Sequence, residues 1–320
     1  MRKYFEEIED TRQQWKIKYL LVEVIVMTII AVTAGADNWG EIAMYCKGKA
    51  TMFREKFGLK LENGVPTDDT FQRIFAIIKP EQLEKCFRSW VNSEYRIGSE
   101  EIISLDGKTL RGSRDDNFNF IHMISAFANK TGIVLGQMRV DEKSNEIPAV
   151  PELLDLIDAE GCIFTSDAMS CQKKTVVKIV DKKCDYVICL KGNQETLHED
   201  VKLYFETALA QPKLYDFVQS KPKTEKGHGR IETRQYFLST EIDGFVDKQQ
   251  WIGLAAIGMV RSKRIINGVE STEDRYFITS LTDLQRFSQA ARAHWGIENQ
   301  LHWCLDTNLH EDLGRTRVDN

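Results

Sequence analysis

Near residue 100 the spacing of apolar residues changes from helical to strand-like, and that change constrains the fold more than any single motif. Before it the spacing is helical. In PTDDTFQRIFAIIKPEQLEKCFRSWV, Phe71, Ile74, Phe75 and Ile78 stand at i, i+3, i+4 and i+7, so one apolar face turns inward. Pro66 and Thr67 precede the first turn, and Asp68 and Asp69 suit the positive end of the helix dipole. Pro80 stops that helix and Glu81 opens another. Residues 1 to about 95 read as an N-terminal helical domain.

After the change come three β-like runs, IISLDGKTL, FIHMISAFANK and IVLGQMRVD, the last two joined through Asn129-Lys130-Thr131-Gly132 as in a short hairpin. EIPAVPELLDLIDAEG reads as a helix with Pro151 at a first helical position and Gly161 placed to stop it. Strand CIFTSD, helix KKTVVKIVDKK, strand YVICLK and helix QETLHEDVKLYFETAL follow. Three antiparallel strands followed by βαβ units is the order of a ribonuclease-H-like core: α/β, a mixed sheet with flanking helices. A second domain over 96–320 is expected, interrupted at about 211–282 by a β-rich insertion containing RIETRQYFLS, QWIGLAAIGMVRSKRII and DRYFITSL. A last helix, about Asp283 to Leu305, closes the pattern, with Trp295 and Trp303 as expected core anchors beneath it.

Three acids occupy special places in that pattern. Asp106 ends IISLD, Asp167 ends CIFTSD, and Glu298 lies in ARAHWGIENQLHW. A ribonuclease-H-like order makes the first and fourth strands neighbours, which brings Asp106 and Asp167 together across 61 positions. Three converging carboxylates form a hard-oxygen site suited to two Mg²⁺ (or Mn²⁺) ions, the arrangement that clamps the attacking and leaving oxygens of a phosphoryl displacement. Taken alone, Asp106 before Gly107 also reads as a turn-capping aspartate. GKT at Gly107–Thr109 is no phosphate loop, because Ile102 stands where the pattern needs glycine. His294, Glu298 and His302 share a helical face, but residues eight apart lie ~12 Å apart along an unbroken helix, so the histidines cannot share one zinc ion. They are expected to pack or to face DNA.

The formal charge of -5 opposes DNA binding only on average, since basic residues cluster locally. Lys221, Lys223, Lys226, Arg230 and Arg234 form one group, Arg261, Lys263 and Arg264 a second, and Lys108, Arg111 and Arg114 a third. Each group can also be an ordinary solvated face. Of these, Lys108, Arg111, Lys226, His228, Arg230 and Arg234 are the DNA-contact candidates, with His294 and His302. Lys226, His228, Arg230 and Arg234 are expected to form a solvent-facing patch on the side of the acids. The longest apolar stretch, Tyr19 to Ala34, is 16 residues with Glu23 inside it, short of the ~20 that span a bilayer. The N-terminus does not read as a signal peptide, and seven cysteines without a CxxC pair suggest reduced thiols, so a cytoplasmic protein is expected.

LDGKTLRGS, HMISAFANKTGIVLGQ, DEKSNEIPAVPELLDLID, TSDAMSCQ, KGNQ, KGHGRIETR and HWGIENQLHWCLD, in this order, resemble the ISAs1 group of insertion-sequence transposases within the IS4-like DDE class. They are similar also to the H-repeat-associated proteins found beside Rhs elements, and AGADNWGEIA and NGVPTDDTFQRIF resemble that group's N-terminal associated domain. The resemblance implies a catalytic triad of Asp106, Asp167 and Glu298 and an insertion that helps hold transposon-end DNA. It also implies double-stranded DNA, both element ends and target, as partner, and a homodimer in a synaptic complex. The wider class often shows Tyr-x2-Arg-x3-Glu-x6-Lys around its last acid. Here Ala291, His294 and Leu305 stand at the other three positions, and no role transfers to them. The chain ends 22 residues after Glu298, where relatives usually continue, so a truncated DNA-binding remnant is one alternative. A metal-dependent nuclease on the same core is the other.

Overall fold

The computed structural model describes residues 1–114, 120–140, 146–227, 229–245 and 247–313. Packing divides the chain into two compact units: Met1–Arg96 with Trp303–Asn320, and Ile97–His302. The sequence pattern had grouped the residues after His302 with the second.

The first unit is helical. It contains α1 (Arg2–Phe5), α2 (Leu21–Thr33), α3 (Trp39–Gly48), α4 (Ala50–Phe57), α5 (Asp68–Phe75) and α6 (Pro80–Glu94). The proline at the start of α6 fits there because the first helical N–H has no intrahelical acceptor to lose. Phe5, Val24, Ile25, Phe53, Phe71 and Ile74 meet in its core. Glu23, the charge inside the apolar stretch, is buried and accepts from the backbone N–H groups of Lys60 (2.6 Å) and Leu61 (3.4 Å). Among the described residues no helix is long and apolar enough to cross a membrane.

The second unit is built on one mixed sheet. Its first five strands are β1 (Ile102–Leu110), β2 (Ile121–Ala128), β3 (Ile133–Val140), β4 (Ile163–Ser166) and β5 (Asp185–Leu190). They lie in the order β3-β2-β1-β4-β5, with β1, β2 and β3 antiparallel and β1, β4 and β5 parallel. This is the ribonuclease-H-like order. The connecting helices α7 (Glu146–Asp155), α8 (Lys173–Asp181) and α9 (Glu195–Ala210) bury Leu153, Val176, Ile179, Val201 and Phe205 against Leu105, Phe164, Ile188 and their neighbours on one face. α7 begins earlier than the proline pattern implies. It runs through Pro151 and ends at Asp155, while Gly161 forms a later turn at φ +80°.

The expected β-rich insertion is a continuation of the same sheet rather than a separate layer. β6 (Val218–Gln219), β7 (Lys223–Gly227), β8 (Arg230–Ser239), β9 (Ala256–Ile266) and β10 (Val269–Thr279) extend it beyond β5 in the order β10-β9-β8-β6, with β7 on β8. β10 joins antiparallel to β5 from Tyr276↔Leu190 to Thr279↔Val187, so it covers the edge β5 would otherwise expose. On the opposite face from α7 to α9 lies α10 (Leu284–Ala293), whose Phe287, Ala290 and Ala291 pack on Ile163, Val187, Val260 and Phe277. Gly258 admits this contact. A Cβ there would stand 2.3 Å from the Phe287 ring.

Candidate active site

Asp106 and Asp167 are brought side by side by strand register. β1 and β4 pair in parallel up to Leu105↔Ser166, so the two aspartates are the next residues at the same level of adjacent strands. Their shared face is established two residues earlier, where Ser104 Oγ and Thr165 Oγ1 are hydrogen-bonded at 3.0 Å. Alternation along each strand then turns both aspartates to that face. β4 ends there, as expected. β1 does not: it runs to Leu110 because β2 still pairs with it from Gly107↔Ile124 to Leu110↔Ile121. Asp106 therefore marks the end of parallel pairing, not the end of its strand. Asp167 Oδ1 accepts the N–H groups of Met169 (3.1 Å) and Ser170 (3.3 Å), which holds its carboxylate at the turn into α8.

The segment carrying Glu298 crosses this face. It is not one regular helix: α10 ends at Ala293, Ile297–His302 is π-helical, and α11 (Trp303–Thr307) follows. π-helical turns recur at functional sites, where they re-aim side chains within a helix. His294 Nδ1 lies 3.2 Å from Thr165 Oγ1, and His302 Nδ1 lies 3.7 Å from Asp106 Oδ2. Each histidine thus bears on a different one of the two acid-bearing strands. Asn129 completes the seating, donating Nδ2 to Ser104 Oγ (2.7 Å) and to the Ile102 carbonyl (3.0 Å). A Cβ on Gly296 would fall 2.1 Å from Asn129 Oδ1, so only glycine lets the crossing segment come this close.

Electrostatics ties these groups together. Burial holds the His294 imidazole down at about 4, against an upward pull from Asp167 and with a smaller downward push from Arg275, so the ring is neutral near pH 7. The Glu298 carboxyl is raised above its ordinary value, first by the protein around it, with Arg275 opposing and Asp167 adding to the rise. A negative neighbour disfavours the charge on Glu298, and a cation would reverse the sign. Among the described residues no three His, Cys, Asp or Glu side chains stand close enough to hold a metal ion. Asp106 and Asp167 are neighbours by register and Glu298 feels the charge of Asp167, but the three acids do not close into a metal-holding group.

The basic candidates separate. Lys108 lies two residues beyond Asp106 on the same strand face, and Arg111 opens a short 3₁₀ turn after β1. In the β7–β8 hairpin, Arg230, Glu232 and Arg234 alternate onto one face, opposite Gly227, Glu225 and Lys223. Lys226 opposes Ile231 and so turns to the other face, which splits the single patch expected from sequence. Arg234 is not solvent-facing either: it is held between Glu225 (2.9 Å) and Glu232. Arg230 remains exposed, 3.7 Å from Glu232. His228 lies outside the described residues.

Glu232 belongs to a ladder of ion pairs along this face. Arg264 spans Glu232 (3.0 Å) and Glu273 (3.3 Å), Arg275 donates to both Glu273 oxygens (2.8 and 3.2 Å), and Arg292 of α10 reaches Glu225 (3.6 Å). At the end nearest the acids, the Arg275 guanidinium lies 4.5 Å from the centre of the Trp295 ring. Trp295 is therefore a platform for a cation. Trp303 is 58% exposed and is no core anchor.

Sequence reasoning missed Ser104, Thr165, Asn129, Gly296 and Arg275. A signal existed for the first two, since Ser-Leu-Asp and Thr-Ser-Asp each place a hydroxyl two residues before an acid, on the same strand face. For Arg275 there was none.

Comparison with known proteins gives the family. The family description "Transposase DDE domain" matches residues 97–320, and "DDE_Tnp_1-associated" matches residues 2–91. The chain belongs to the DDE transposase family. It is 40% identical over 324 residues to "Putative transposase YncI" of Escherichia coli O157:H7, covering 99% of this chain and 82% of that protein. It is 37% identical over 323 residues to "H repeat-associated putative transposase YhhI" of Escherichia coli strain K12, covering 98% of this chain and 84% of that one. The transposase match spans both acid-bearing strands, the sheet extension and the crossing segment in one stretch.

Proposed function

We propose that this DDE transposase family member cleaves DNA strands at insertion-sequence ends and joins them to target DNA, with divalent metal ions held by Asp106, Asp167 and Glu298. The observation that carries the reading is the register Leu105↔Ser166, which makes Asp106 and Asp167 neighbours on one sheet face under the segment bearing Glu298. The donor set is of the kind hard cations take, three carboxylates, with the His302 imidazole 3.7 Å from Asp106 beside them. When bound, Mg²⁺ or Mn²⁺ ions supply the Lewis acidity and charge neutralisation that an in-line displacement at phosphorus needs.

The chain's own residues account for the rest. Asp167 is oriented by two backbone donors, and Asp106 has His302 against it. Glu298 is the most exposed of the three and sits on a π-helical turn, so it is the acid best able to adjust when DNA and metal arrive. The charged face of the sheet extension, on the same side as Trp295, is where flanking duplex DNA is expected to run.

Asp167→Asn tests the reading, because it keeps size and removes an anionic ligand. Clustered carboxylates repel, so the variant is expected to melt at the same temperature as wild type or slightly above it without metal. It is also expected to lose the Mg²⁺-induced rise in melting temperature. Nicking of the gene's own flanking DNA should fall by at least ~10³-fold. A full metal-induced shift in the variant would remove Asp167 from the ligand set. A wild-type protein that shows the shift but never nicks DNA would be a DNA-binding remnant.

A further inference from the structure

A DNA phosphate entering beside three carboxylates meets like charge, and something other than those acids must hold it. The acid-bearing strands themselves carry Lys108 on the relevant face, and the crossing segment carries only histidines. The best-placed arginine comes from elsewhere. Arg275 stands in β10, more than a hundred residues after Asp167 in sequence, and is delivered because β10 joins the edge of β5.

Three features set Arg275 apart from the other arginines of the ladder. Its guanidinium lies over Trp295, three residues before Glu298 on the crossing segment, so the same segment locates the cation and the acid. Its Nε and one Nη2 proton are fixed by Glu273, which Arg264 steadies from the other side. A guanidinium has five N–H groups, and among the described residues the remaining ones make no hydrogen bond to protein. By contrast Arg234 is enclosed by two glutamates, Arg264 spans two, and Arg292 is drawn to Glu225. A planar, half-occupied fork locked on an aromatic ring is the geometry that receives a phosphate oxygen pair.

We propose that Arg275 grips a phosphate of the DNA strand lying against Asp167 and Glu298, and that Trp295 and Glu273 serve to hold its fork toward that phosphate. The inference rests on the DNA-processing reading above and adds a residue to it. It also gives the sheet extension a specific task, to carry a cation back to acids borne by the core strands.

The test separates the two ideas. Binding of a duplex containing the flanking end is measured against salt concentration in EDTA, where no metal-dependent cleavage runs, for wild type, Arg275→Ala, Arg275→Gln and Arg275→Lys. Loss of one phosphate contact is expected to lower the slope of log K against log salt by roughly 1 in the alanine and glutamine variants, and to raise Kd roughly fivefold. Lysine should keep the slope. Thermal melts identify any variant that fails to fold, and the glutamine variant, which keeps part of the side chain's reach and a polar end without the charge, then decides. With Mg²⁺, nicking should slow by at least ~100-fold for alanine and by less for lysine. An unchanged slope, or a wild type that shows no salt-dependent binding, overturns the role of Arg275. A reduced slope with a wild type that never nicks supports the phosphate contact and sinks the cleavage reading. Nicking by wild type and Arg275→Ala at equal rates, with equal slopes, leaves the cleavage reading standing and removes Arg275 from it.

Discussion

The two halves of the large sheet keep their polar groups in order by different physics. In the acid-bearing half, Asn129, Ser104, Thr165 and His294 form a short run of uncharged hydrogen bonds under a crossing segment, with Gly296 pressed against Asn129. In the extension, Glu225, Glu232 and Glu273 are interleaved with Arg234, Arg264 and Arg275, and neutrality is reached only by pairing. A largely buried neutral network is insensitive to salt but intolerant of a proton or a methyl group. A partly exposed ion-pair ladder tolerates single changes and weakens with salt. The difference suggests that the first half sets geometry and the second sets field.

The largest expected effect is one of pH on the acid-bearing half. The native His294 binds its proton only at about 4, while an unfolded histidine does so near 6.5, so between those values the unfolded state holds more protons. Stability contributed by the neutral ring is present above pH 6.5 and lost as pH falls toward 4, amounting to roughly 3 kcal/mol. Urea titrations from pH 7 to pH 4 should show this fall in wild type and a shallower one in His294→Gln. Equal slopes would mean that the buried network does not depend on a neutral ring.

A smaller effect sharpens the steric side. Gly296→Ala is expected to cost about 1–3 kcal/mol, because the new methyl meets the Asn129 amide. If that contact is the reason, Asn129→Ala combined with Gly296→Ala should cost less than the sum of the single changes by ~1 kcal/mol. Strict additivity would show that the glycine is needed for something else.

The smallest effect concerns the ladder. Raising salt from about 0.05 M to about 1 M should loosen the extension by ~1 kcal/mol or less, read as faster amide exchange in β8 and β9 with β1 and β4 unchanged. Glu232→Gln should exchange faster at low salt and respond less to added salt. If β1 and β8 respond alike, the contrast between the halves is not electrostatic.

What the sequence disclosed follows this same division. Strand order, the helices between strands and the placement of Asp106 beside Asp167 were legible, because the two-residue strand period and the helical period of about 3.6 residues report which face is buried. The π-helical turn at Ile297–His302 was not, since its residues keep an ordinary helical composition and only the contacts with β1 and Asn129 show where the register changes. Nor was the split of Lys226 from Arg230, because a cluster in sequence says nothing about faces until the hairpin turn is located. Arg275 was invisible for a deeper reason: its relation to Glu298 is made by an antiparallel strand joining the edge of a parallel set, a pairing that no local pattern encodes.

Gly258 has a consequence at a distance. The Phe287 ring sits where a side chain at Gly258 would be, so this one contact sets how α10 leans on the sheet. Glu298 lies eleven residues further along the chain, past the end of α10 at Ala293 and on the π-helical turn beyond it, a span of about 16 Å at helical rise. A tilt of ~5° at the Phe287 fulcrum would swing the far end by ~1.4 Å, and a displacement of ~1 Å can cost on the order of 10²-fold in rate. The missing methyl of a glycine in the sheet extension therefore acts as the pivot of a lever whose working end is a carboxylate on the segment that crosses the other half of the sheet.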